Sequence, residues 1–103
     1  MAYKLIVTEH ADELLDNLVY HLLYRLKNQP AAKHLLDGIE HIYSRLEENP
    51  RQFPPSRDTY LANKGYHEAI VPHMDYTVIF SISTDIVNVV GIFHQLENYQ
   101  AKL

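Results

Sequence analysis

Tyr66-His-Glu-Ala-Ile-Val71, Tyr76-Thr-Val-Ile-Phe-Ser-Ile82 and Ile86-Val-Asn-Val-Val-Gly-Ile-Phe93 are the stretches that decide the fold. Each is short and rich in β-branched and aromatic side chains. Apolar residues recur at alternate positions, the pattern of a strand with one face on a core. The breaks between them, Pro72-His-Met-Asp75 and Ser83-Thr-Asp85, have the length of hairpin turns. The three strands are therefore expected to pair as an antiparallel meander.

Upstream, Asn49-Pro-Arg-Gln-Phe-Pro-Pro-Ser-Arg-Asp58 reads as a loop, because its three prolines stop a helix and stiffen the crossing. Tyr60-Leu-Ala-Asn-Lys-Gly65 leads from it into the first of the three strands. Before the loop, Leu35, Leu36, Ile39, Ile42, Tyr43 and Leu46 form one face of a helix over 31–48. Leu14, Leu15, Leu18, Val19, Leu22, Leu23 and Leu26 do the same over 10–27. Asn28-Gln-Pro30 separates the two, with proline suited to a first helical turn. So short a connection implies an antiparallel helical hairpin. Tyr3-Lys-Leu-Ile-Val-Thr8 is a further short strand.

The hairpin must bury its apolar face, and the sheet is the surface on offer. The expected fold is α+β: an N-terminal strand, then an antiparallel helical hairpin packed on a curved antiparallel β-sheet, in the order β-α-α-β-β-β. At 103 residues it is expected to be a single domain, 1–103. With 47% hydrophobic and 21% charged residues the composition is that of a globular protein. There is no cysteine, which rules out disulfides and a thiol nucleophile. No apolar run is long enough to span a membrane, and the N-terminus lacks the apolar stretch of a secretory signal. A cytoplasmic protein is the expectation.

Net charge is −4, and residues 59–103 hold two bases against four acids. Nucleic-acid affinity is drawn mainly from Lys and Arg on phosphates, so a generic nucleic-acid grip is disfavoured. Gly-rich phosphate loops, Gly-x-Ser-x-Gly elbows and His-Glu-x-x-His motifs are all missing. His34 and His41 share a helix face without a third ligand at zinc-like spacing, and His73 and Asp75 sit in a turn. No metal and no cofactor is expected.

Four segments carry a resemblance to a known family. Glu47-Glu-Asn-Pro50 closes the second helix. Asn63-Lys-Gly-Tyr-His67 leads into a strand, Tyr76-Thr-Val-Ile-Phe80 forms one, and Ile92-Phe-His-Gln-Leu-Glu-Asn-Tyr99 lies in the C-terminal tail. In this order and spacing they resemble the RelE/ParE toxins of bacterial type II toxin–antitoxin systems. The resemblance covers Tyr3 to Leu103 and implies the same β-α-α-β-β-β fold. It departs where ribosome-dependent members keep basic residues: His67, Thr77, Leu96 and Glu97 stand there instead.

What the resemblance implies about function divides. Ribosome-dependent members cut mRNA in the ribosomal A site, by attack of a ribose 2′-hydroxyl on the neighbouring phosphate. That chemistry requires a base, a cation for the phosphate and an acid. Histidine titrates near neutrality and serves either proton role. His94, His67 and Tyr99 are then the candidate catalytic residues, and Lys64 and Arg57 the candidate nucleic-acid contacts. Their bland alternatives are a strand-end cap, a half-exposed strand residue, a tail anchor and two solubilising surface bases. ParE-type members instead poison DNA gyrase without chemistry of their own, and a third alternative is a degenerate member that only binds its antitoxin. All three imply a cognate antitoxin protein as partner, with ribosome and mRNA, or DNA gyrase, as the target.

Overall fold

The computed structural model describes residues 2–95. The order is β1 (Lys4–Val7), α1 (Glu9–Tyr20) continued by a π-helical turn (His21–Arg25), α2 (Gln29–Glu48), a 3-10 turn (Pro50–Gln52), α3 (Thr59–Asn63), β2 (Tyr66–Ile70), β3 (Tyr76–Ser83) and β4 (Ile86–His94). The sheet runs β1-β4-β3-β2. Strands β2, β3 and β4 form the antiparallel meander, and β1 adds to β4 in parallel. The expected α+β fold is therefore found. Two details were not read from the sequence: the parallel pairing of β1 and the short helix α3.

Both helices start on side-chain caps. Thr8 Oγ1 accepts from the Ala11 N–H at 3.1 Å, and Asn28 Oδ1 accepts from the Ala31 N–H at 3.1 Å. On α2, Leu35, Ile39, Ile42 and Leu46 repeat at three- and four-residue spacing, and all are buried. They meet Ala69, Val71, Val78, Phe80, Val87, Val89 and Ile92 from one sheet face, which is the main core. Helix and sheet approach closely at Gly38, where a Cβ would lie 2.7 Å from Val71 Cγ1. On the opposite sheet face, Ile79 and Phe93 form a smaller core under Leu61 of α3. Alternation along the strands, with a bulge opposite Ile79 and Phe80, assigns each side chain to its face.

The first helix departs from the expected regular run over 10–27. Leu26 N–H bonds to His21 O, five residues back, at 3.0 Å. Lys27 then takes a left-handed conformation (φ 50), and Asn28 N–H returns to Leu22 O at 2.8 Å, a Schellman-type ending. The wider turn keeps Leu22 in the core and rotates Leu26 off it, to 59% exposure. Leu36 on α2 is likewise on the outside at 44%.

Candidate functional site

The loop after α2 is what brings chemistry to the sheet. Phe53 follows the 3-10 turn, and the extended residues behind it lie along the outer edge of β2. Glu68 N–H donates to Pro54 O at 3.2 Å and Ser56 N–H donates to Tyr66 O at 3.0 Å. This holds His67 against the loop: its Nδ1 lies 3.3 Å from Phe53 O. A carbonyl only accepts, so the contact places the proton on Nδ1 and leaves Nε2 as the lone-pair nitrogen of the neutral ring. The ring stacks on Phe80 at 5.6 Å, and Phe53 meets Phe80 edge-on at 6.0 Å. Arg45, from the end of α2, sits 5.1 Å from the Phe53 ring and donates to Gln52. Arg45 was not singled out in the sequence. Its signal is present there: a base in the last helical turn, one short loop away from an aromatic.

His94 lies at the other end of the same sheet face. It is half-buried, opposite Tyr76 in the β3–β4 register, and the two rings meet edge-on at 5.7 Å. His67 is opposite Phe80 and His94 opposite Tyr76, four residues along β3 and two strand spacings apart. At a strand rise of ~3.3 Å and a spacing of ~4.8 Å, their backbones are separated by about 16 Å. General acid and base must each reach within hydrogen-bonding distance of the atoms they serve. From so far apart, the two rings could serve one phosphate only by leaning toward each other across the sheet face.

Arg57 occupies the opposite face. Glu68, next to His67 and pointing the other way, is 1% exposed. It accepts from Arg57 Nε at 3.0 Å, from the Arg57 backbone N–H, and from Thr77 Oγ1 at 3.4 Å. Arg57 also donates to Gln95 Oε1 at 2.7 Å, tying the loop to the end of β4. Its guanidinium is thus shared between a carboxylate and an amide. Thr77, at a position where the resemblance expects a base, helps to hold that carboxylate. Lys64 closes α3 with its ammonium 4.7 Å from the Tyr60 ring centroid, and hydrogen bonding to Tyr60 raises its pKa. Tyr99 lies outside the described residues.

The arrangement therefore brings His67 together with Arg45 and Phe53, and His94 with Tyr76. Arg57 is placed behind the sheet, so the expected residues that are described lie in separate places. Among the described residues no group of three or more histidine or acidic side chains could hold a metal ion, and no helix is long and apolar enough to cross a membrane.

A strand, a two-helix hairpin and a three-strand meander, with the main core between helices and sheet, make a small α+β fold. The chain belongs to the ParE toxin family of type II toxin–antitoxin systems, parDE: the family's model matches residues 5–99. Among solved structures it is similar to the chromosomal ParDE system of P. aeruginosa, with a TM-score of 0.72 and 17% identity, covering 90% of this chain and 96% of that one. It is also similar to the toxin–antitoxin complex RelBE2 of Mycobacterium tuberculosis, with a TM-score of 0.61 and 18% identity, covering 94% and 95%. At such identity these likenesses show the fold. No curated protein matches the chain.

Proposed function

We propose that this toxin acts by binding, as a non-catalytic inhibitor of DNA gyrase held silent by a cognate antitoxin, and not by cutting RNA. The observation that carries this reading is the dispersal of the candidate catalytic groups. The backbones of His67 and His94 are about 16 Å apart at strand spacings, and Arg57 of the proline loop is paired with the buried Glu68 on the other face. The acid excess of residues 59–103 points the same way. Family membership supports the antitoxin, and both similar structures are of toxin–antitoxin systems.

One observation favours the ribosomal-nuclease reading: His94 is half-buried beside a tyrosine at a strand end, a setting fit for proton transfer. Induction of the chain alone in bacteria, wild type beside His94→Ala and His67→Ala, separates the two. The expected result is growth arrest in all three, relaxed plasmid DNA and no new mRNA 5′ ends. Cuts inside translated codons that vanish in His94→Ala would overturn the proposal in favour of mRNA cleavage.

A further inference from the structure

The charge of this protein is not spread evenly. From Asn17 to Leu36 there are three bases, Arg25, Lys27 and Lys33, and no acid; all thirteen acidic residues lie outside that span. The span is the end of α1, the π-helical turn and the first part of α2, so it forms one tip of the helical hairpin. Lys33 pairs with Asp37 at 2.7 Å on its rim. Among the described residues neither Arg25 nor Lys27 has an ion-pair partner.

Among the described residues the tip also gathers most of the exposed large hydrophobic side chains. Of seven large hydrophobic side chains exposed among the described residues, Tyr20, Tyr24, Leu26 and Leu36 belong to it. Tyr20 and Tyr24 pack on each other at 4.8 Å while both remain at least 60% exposed. Beside them Val19, Leu23, Pro30 and Leu36 line a groove of about 590 Å³ between the helices, with the paired Lys33 and Asp37 also at its wall. The π-helical turn bears on all this. Such turns are rare and concentrate at functional positions; here the turn moves Leu26 out of the core and into the exposed patch.

We propose that this tip is the surface by which the toxin docks on its target, and that the occupant is an acidic protein surface with an apolar centre. The inference rests on the binding mode of action argued above, which requires a contact surface that the scattered histidines do not supply. Charge complementarity selects the occupant: two exposed cations, Arg25 and Lys27, on the same tip as an apolar patch match an acidic partner, and such charges steer association. Tyrosine pairs and arginine are the side chains that anchor interfaces. Nucleic acid fits less well, because two unpaired bases offer little counterion release while the buried-groove residues would stay uncovered.

The test uses Arg25→Glu/Lys27→Glu and Tyr20→Ser/Tyr24→Ser, all at exposed positions, with circular dichroism and melting to confirm the fold. Each is compared with wild type for growth arrest on induction and for inhibition of plasmid supercoiling by purified DNA gyrase. A loss of potency of tenfold or more in both folded variants is the expected result. Wild-type potency in both would overturn the inference and leave gyrase as target. If wild type arrests growth but spares gyrase, the gyrase reading falls. Arrest lost in the variants then still supports the tip, and arrest retained overturns it. A wild type that neither arrests growth nor inhibits gyrase overturns both. Variants that keep arrest but escape co-expressed antitoxin would make the antitoxin the occupant. Tip-dependent binding of a bare DNA duplex, or tip-dependent dimerisation, would equally replace the proposed occupant.

Discussion

Tyr43 and Glu68 show how differently two buried polar side chains are treated. The Tyr43 hydroxyl, between the helices, is buried with no hydrogen-bond partner. Burial first, and the nearby Asp12 charge second, push its pKa up to about 12. Tyr43→Phe removes a desolvated donor and keeps the ring, so it is expected to leave the melting temperature unchanged or raised. The alkaline behaviour carries a sign. Because the folded pKa is raised, the unfolded chain ionises first, and stability is intact below pH 10 and falls as pH rises from 10 toward 12. In Tyr43→Phe that fall should shrink, as titration monitored by circular dichroism would show. Glu68 is in contrast fully partnered, by Arg57 and Thr77. A double-mutant cycle of Arg57→Ala and Glu68→Gln is expected to give a coupling of about 1–3 kcal/mol, above that of an exposed pair. A coupling near zero would mean that the pair does not hold the loop.

At the scale of elements, the seat of α2 on the sheet depends on the missing side chain of Gly38. Alanine would gain about 1 kcal/mol of helix propensity. Its Cβ, however, would press on Val71, a stiff β-branched side chain with no exposure. Overpacking costs about 1–3 kcal/mol, so Gly38→Ala should lower the melting temperature, and Val71→Ala in the same chain should relieve part of the loss. A stabilised Gly38→Ala would show that the helix shifts freely. The elements were legible in the sequence wherever side-chain period alone decides them: the meander from its alternation, α2 from Leu35, Ile39, Ile42 and Leu46. Where backbone hydrogen bonding decides, they were not. The π-helical turn keeps the same apolar letters as an α-helix yet sends Leu26 outward, and the parallel seat of β1 leaves no mark in four residues. The candidate site was legible by residue type only. Nothing in the sequence said that Arg57 would reach Glu68, because that depends on how the proline loop lies along β2.

At the scale of the whole molecule, the proposed mode of action gives the antitoxin and the target contacts of different physical kinds. The antitoxin contact is expected to rest on apolar area more than on charge, so affinity of the pair should change less than about tenfold between ~0.1 and ~0.5 M salt, where exposed charges are screened. Titration calorimetry of the purified pair at both salt concentrations would check this, and a steep loss would assign the grip to ion pairs. Target docking through Arg25 and Lys27 should respond to salt in the opposite measure. The two sensitivities therefore offer a way to tell one partner's footprint from the other's without a structure of either complex.

The proline loop has a consequence for how copies of the protein meet. A sheet can grow from molecule to molecule when both of its outer strands offer free N–H and C=O groups. Here β2 is occupied by the 54–56 segment up to Glu68, and two of the three residues lying there are prolines with no N–H to offer a newcomer. Strand β1 remains the other border. Among the described residues the sheet is thus closed on its β2 side, and a ribbon that grows edge to edge needs both sides free. Edge-to-edge polymerisation of the free protein is therefore not expected.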